Sequence, residues 1–342
     1  MTSKLQSRVS KTAQRGVSLI ELLVAVALGL SVILVVLSVF QNFSGSSKTS
    51  IVEQSMTENA ESAFQLIAQQ MRQVGYNPRR PDASVPTTNP LRIGTPPGGA
   101  AGMSLFACAN GFSNGFGSGI ADNIQSLTCN TSATNTISYA IAVQYQADQF
   151  SPSVVGAAPA DCRGFAVTAQ SLAVTTPTST VTYFVVENRY MIKDGGLACT
   201  GNGGSTSFET PGQPLVPNIE SMQLSFGLTV PGVTLTTANF VAGYLGAPEI
   251  GPASGNDTSG VKDTLTTGTL TPIQRWDLVK TVRVCMVVKA ERRSLFEQEG
   301  DTAGVYGTYY GCNPASPINI TDGHMRKAYV RHFALRNRIS TP

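Results

Sequence analysis

Three hydrophobic patterns follow one another along the chain. From Val17 to Phe40 the residues are apolar almost without a break over 24 positions. As a helix rising about 1.5 Å per residue, such a run spans roughly 36 Å, enough for a hydrocarbon layer of about 30 Å. Past the polar stretch 42–50, Val52, Met56, Ala60, Phe64, Ile67, Met71 and Val74 recur at steps of three and four, the stripe of an amphipathic helix. Gly75 and Asn77-Pro78 end it. The pattern predicts one helix over about 17–75, loosened near Gly45, with its second half laid on a folded head.

Downstream the period falls to two. Ile137, Tyr139, Ile141, Val143 and Tyr145 alternate with Thr136, Ser138, Ala140, Ala142 and Gln144, which predicts a half-buried strand. The stretches 181–192, 219–228, 281–290 and 325–336 read the same way, separated by Gly, Ser, Thr and Pro. Residues 229–271 keep no period and read as an inserted loop or small hairpin. The expected fold class is α+β: a long N-terminal helix on a large antiparallel β-rich head. The expected divisions are 1–16, 17–40, 41–77 and 78–342.

Charge changes the picture at one place. The formal net charge is +3, yet Lys4, Arg8, Lys11 and Arg15 stand in a leader without acids. Without them the chain is close to neutral, so global charge gives no argument for nucleic acid. Basic residues before the span and none just after it direct the N-terminus to the cytoplasm and the head outside. The six cysteines, Cys108, Cys129, Cys162, Cys199, Cys285 and Cys312, form no CxxC pair, which fits disulfides in an oxidising compartment better than zinc. Many pairings are open; pairing nearest neighbours gives 108–129, 162–199 and 285–312.

Glu21 breaks the apolar run. A secretory signal would end at small residues soon after a shorter apolar core, whereas Ala25 and Ala27 sit inside this run. A plain anchor leaves the carboxylate unexplained, since an acid in a spanning helix costs up to a few kcal/mol unless it is paired or near the interface. The stretch Arg15-Gly16-Val17-Ser18-Leu19-Ile20-Glu21, behind a basic leader, resembles the class III signal of type IV pilins and type II secretion pseudopilins. The resemblance implies that prepilin peptidase cuts after Gly16 and methylates the new amine at Val17, where the family usually has Phe. Glu21 then matches the family's glutamate. Independently of any family, a free amine at Val17 and an acid about one turn further on let neighbouring subunits pair amine with carboxylate. In hydrocarbon such a pair relieves the burial cost of both ions.

In the head, QMRQVGYNP, MQLSFGL, VRVCMVVKAERR and VRHFALRN resemble minor pilins of the PilW type. That resemblance implies a subunit that joins other minor pilins and the major pilin, primes type IV pilus assembly and sits near the tip. It also implies residence in the inner membrane before assembly and at the cell surface after it. The head is similar as well to the J-type pseudopilin of type II secretion, which stays as an alternative.

Other chemistry is sparse. His324 and His332 stand too far apart on one expected strand to share a metal. Gly115, Gly117 and Gly119 in GFGSG have no helix behind them and read as a loop. No cofactor and no enzymatic activity are expected. Arg326, Lys327, Arg331, Arg336 and Arg338 form a basic strip with Tyr329 and Phe333 between them. It could meet DNA phosphates or an acidic partner, or simply protect a solvated strand edge.

Overall fold

The computed structural model describes residues 16, 18–76, 103–116, 120, 123–130, 138–147, 154–155, 158–175, 178–204, 208–209, 214–229, 241–251, 272–293 and 304–338. The leader 1–15, Val17 and most of 229–271 lie outside them. Two compact units divide the chain, 1–51 and 52–342.

Helix α1 is assigned from Leu19 to Gln73, continuous through Gly45 where the sequence suggests loosening. In the first unit, residues 18–40 are all exposed, and Leu19–Phe40 is apolar enough to cross a membrane. Among the described residues, none buries this stretch.

The second unit begins with the amphipathic part of α1. Met56, Ala60, Phe64, Ile67, Met71 and Val74 are buried and Val52 packs against them, so the stripe forms one wall of the core. The helix ends where Gly75 turns to φ +68°, the left-handed conformation glycine adopts without a Cβ penalty. The Gly75 amide then donates to the Gln144 carbonyl at 3.0 Å, tying the helix end to the head.

The strands are β1 (Leu105–Cys108), β2 (Ala140–Ala147), β3 (Val154–Val155), β4 (Ala158–Pro159), β5 (Gln170–Thr175), β6 (Thr178–Lys193), β7 (Gly196–Gly201), β8 (Val216–Pro217), β9 (Ile219–Leu228), β10 (Gly243–Leu245), β11 (Val279–Lys289), β12 (Thr308–Tyr310), β13 (Pro317–Asn319) and β14 (Arg326–Ala334). Short helices α2 (Ala247–Ile250) and α3 (Pro272–Asp277) precede β11. One antiparallel sheet has the order β1-β2-β6-β7-β8, with β5 beside β6; the second has β10-β9-β11-β14. Two small antiparallel pairs, β3-β4 and β12-β13, stand apart from these sheets in the pairing.

Trp276 of α3 joins the sheets. Its ring meets Phe106 of β1 edge-on at 5.3 Å and Phe226 of β9 at 5.2 Å. Such pairs add about 0.5–1.5 kcal/mol beyond the area they bury. The predicted stretches 219–228, 281–290 and 325–336 fall on β9, β11 and β14, and 181–192 lies inside β6. Part of the expected insertion, Gly243–Leu245, pairs with the end of β9 as an added edge strand.

One expectation needs correction. The β2 strand is covered on both faces: Ala140, Ile141, Ala142 and Val143 are all buried. Its second face adjoins Glu187 and Arg189 of β6, and both reach into the loop closed by Cys108–Cys129. The small residues Ala140 and Ala142 leave room for these long side chains, so the alternation records size rather than solvent exposure. The other bridges are Cys162–Cys199 and Cys285–Cys312, which gives the nearest-neighbour set.

Candidate assembly site

In the first unit the chemistry reduces to two positions. Gly16 is exposed, and a Cβ built on it meets nothing within 4 Å. A larger residue there would not disturb this chain's own packing. Glu21 lies in the first turn of α1, where the helix dipole favours an anion. Among the described residues no hydrogen bond or ion pair reaches its carboxylate. The hydroxyls of Ser31 and Ser38 do find partners, donating to the carbonyls of Leu28 and Val35 at 2.8 Å each. Among the described residues, Glu21 is thus the charged side chain of the span, and it has no partner there. Val17 lies outside the described residues.

The second unit places the basic strip differently from its linear reading. Lys327 Nζ pairs with Glu53 at 3.2 Å, and Arg331 pairs with Glu61. Both acids are on α1, which faces the same side of β14. Arg326 is held by Glu220 of β9 at 2.6 Å and by Asp322 at 2.7 Å. Asp322 accepts further from Lys289 at 2.8 Å and from the His324 amide. The Arg326 guanidinium first, then Lys289 and that amide, hold the Asp322 carboxyl well below the usual carboxylate range. Arg336 is exposed in the turn after β14, and the Arg338 side chain lies outside the described residues. A strip of five open cations for DNA does not form; three are neutralised by acids far away in sequence.

The histidines separate as well. His324 precedes β14 and its Nδ1–H donates to the Ala290 carbonyl at 2.9 Å, while His332 stands exposed on the strand. Gly115 carries a constraint not legible in the sequence: its carbonyl accepts from Arg189 Nη1 at 2.6 Å, and a Cβ there would lie 2.7 Å from Phe112 Cβ. Arg189 also pairs with Glu187 at 2.7 Å and stacks 3.4 Å from the Phe208 ring centre, with both ions buried. The alternating pattern of β6 conceals this pair, because buried charge looks like solvent-facing charge in sequence. Glu53 and Glu61 are missed for a different reason: they read as the wet face of an amphipathic helix, and their partners come from the other end of the chain.

Residues 11–37 match the prokaryotic N-terminal methylation motif, and residues 182–337 match PilW, described as type IV pilus-assembly protein W. No curated protein matches. Among solved structures, a type IV-like pilin from Thermus thermophilus is similar at 9% identity and a TM-score of 0.36, covering 83% of this chain and 98% of its own. The methylation motif lies over Gly16 and Glu21, and the PilW match takes in β9, β11 and β14, including Lys327 and Arg331, which pair with acids of α1. Membership of this family points to a structural subunit that contacts other pilus subunits. By its methylation signal and its head together, the chain is a class III pilin of the PilW type.

Proposed function

We propose that this protein is a minor pilin that joins a minor-pilin complex, primes type IV pilus assembly and sits near the pilus tip. Before assembly it rests in the inner membrane, N-terminus inside and head in the periplasm, consistent with the basic leader and the three disulfides. Prepilin peptidase removes residues 1–16 and leaves a methylated amine on Val17. The amine of one subunit pairs with Glu21 of its neighbour. A mismatched register leaves both ions in hydrocarbon, so the pair sets the axial stagger of the helices.

One observation carries this reading: a single carboxylate without a partner among the described residues, in a span that is otherwise uncharged and exposed. The match to a pilus-assembly family supports the pilus over a secretion apparatus. In the native host, Gly16→Ala is expected to leave the leader uncut, since nothing in this chain's own fold hinders the change. Glu21→Ala is expected to permit cutting but to reduce the subunit in sheared filaments several-fold. Immunoblots of whole cells and sheared fractions separate the two effects. Wild-type incorporation of the Glu21 variant would refute the pairing.

A further inference from the structure

The face of the second sheet turned away from α1 holds cations that helix docking does not use. Strand register puts Ser225 of β9, Arg283 of β11 and His332 of β14 in one row across three strands. Neighbouring Val282 and Val284 are fully buried on the opposite face, so the row points outward. Ser225 and Arg283 are half-buried and His332 is exposed.

Arg283 and His332 are direct cross-strand partners, so the guanidinium faces an imidazole and not a carboxylate across the strands. Four other cations of this sheet are met differently: Lys289, Arg326, Lys327 and Arg331 each have a carboxylate. Among the described residues, Arg283 has neither an ion pair nor a hydrogen bond. The missing complement is an anion.

The adjoining row fixes an aromatic ring beside this pair. Tyr244 of β10 lies over Gly227, where an added Cβ would come within 3.2 Å of Tyr244 Cε1 and 2.2 Å of Thr281 Oγ1. The Thr281 hydroxyl donates to the Tyr244 oxygen at 3.2 Å, and the ring stands edge-on to His332 at 6.1 Å. Tyr244 is 45% exposed, enough to offer a contact surface.

From this arrangement we infer that the Ser225–Arg283–His332 row binds a side-chain carboxylate of a neighbouring protein subunit, with Tyr244 packed against the partner beside it. A guanidinium takes a carboxylate through two parallel hydrogen bonds, and the serine hydroxyl and imidazole supply further donors. Tyrosine and arginine are the residue types that concentrate binding energy at protein interfaces. Nucleic acid fits less well. A phosphate backbone needs several open cations along a track, and here the track stops at Lys289 and Arg326, already held by Asp322 and Glu220. Naming the partner a pilus subunit rests on the function proposed above; the carboxylate site itself does not.

The chain contains two histidines, so histidine labelled at ring Cε1 alone gives two carbon resonances, assigned with His324→Gln. The full-length chain in detergent micelles, at mildly acidic pH, is titrated with the blocked peptide Gly-Glu-Gly, with Gly-Gln-Gly, and with a short DNA duplex. The glutamate peptide is expected to move the His332 resonance saturably and leave His324 in place, while the glutamine peptide moves neither. Arg283→Gln should lose the shift, with an unchanged His324 signal reporting an intact fold, and Arg283→Lys should keep a weaker one. The inference falls if His332 does not move, if both resonances move together, or if Arg283→Gln retains the shift. It falls to a nucleic-acid site if the duplex acts at a lower phosphate concentration than the peptide's carboxylate. Because no variant here touches the span, failure leaves the Glu21 reading standing, and failure of that reading leaves the site standing.

Discussion

Glu61 of α1 and Arg331 of β14, 270 positions apart, form an ion pair that is one rung of a ladder. The rungs before it are Glu53–Lys327 at 3.2 Å and Thr57–Tyr329 at 3.1 Å; the next is Phe64–Phe333, with ring centres 6.4 Å apart. Four helical residues rise about 6 Å and two strand residues about 6.8 Å, so the two repeats stay nearly in step when helix and strand run the same way. At the far end Asn337 donates to the carbonyls of Arg72 and Val74, which the helix end leaves without intrahelical donors. The polar rungs fix the register, and the apolar side of the helix supplies most of the stability.

That division predicts unequal costs along one interface. Glu61 and Arg331 are about half-exposed, with side-chain accessibilities of 42% and 52%. Their coupling in a double-mutant cycle should stay below about 1 kcal/mol and shrink with added salt. Phe64→Ala, which empties a buried site, should cost about 3–5 kcal/mol. Urea unfolding of the full-length chain in detergent measures both. A coupling comparable to the Phe64 cost would contradict the division.

The Glu187–Arg189 pair should behave in the opposite way, because both ions are buried. Arg189→Met leaves the Glu187 carboxylate without its cation and should cost about 3–5 kcal/mol. Adding Glu187→Gln should recover part of that loss, since the uncompensated charge disappears. The same unfolding measurement tests this, and a double variant no more stable than Arg189→Met would overturn it.

Legibility in the sequence followed the range of each interaction. The stripe from Val52 to Val74 and the strands β6, β9, β11 and β14 are periodic over many residues, so local pattern was enough to find them. The β1 strand has only four residues, all buried, and offers no alternation to read. On β14 the cations were visible but their partners were not, because Glu53 and Glu61 come from the other end of the chain. Arg283 looked no different from its basic neighbours until the register put it opposite His332. Glu21 was legible because an apolar background makes one charge conspicuous.

Asp322 gives an acid-dependent prediction. Its carboxyl titrates below the ordinary range because Arg326, Lys289 and the His324 amide all favour the ionised form. A carboxylate with a depressed folded value stabilises above the unfolded value, about 3.9, and loses that contribution as pH falls through the folded one. The stability gap between wild type and Asp322→Asn should therefore be constant near neutrality and shrink below about pH 4. Unfolding midpoints across that range provide the check; a gap that widens in acid has the wrong sign.

The β12–β13 hairpin depends on its bridge. Cys312, in the turn between these strands, is joined to Cys285 in the middle of β11 across 27 positions of sequence. Closing a loop of this size is worth about 2–4 kcal/mol. Tyr310 is 59% exposed, and residues 304–320 contain no Lys or Arg. Replacing both cysteines by serine should let chymotrypsin cut after the hairpin tyrosines several-fold faster, while trypsin cannot cut there in either form. Equal chymotryptic rates would show that other contacts hold the hairpin.

Two glycines separate backbone strain from steric collision. Gly195, in the β6–β7 turn, has φ +73° and open space around an added Cβ, so Gly195→Ala should cost only the left-handed penalty of about 1–2 kcal/mol. Gly203 has no such φ, but its Cβ would lie 2.2 Å from the Phe165 carbonyl oxygen and 2.8 Å from the carbonyl carbon. Backbone cannot yield there cheaply. Asp161 binds the amides of Arg163, Phe165 and Gly203 together, and Cys162–Cys199 anchors the same turn. Gly203→Ala should therefore cost clearly more than Gly195→Ala, by a margin that persists when the Arg163 side chain is removed. Thermal unfolding of the two variants, each alone and combined with Arg163→Ala, measures that margin; equal costs would mean that the Asp161 turn moves aside as a unit.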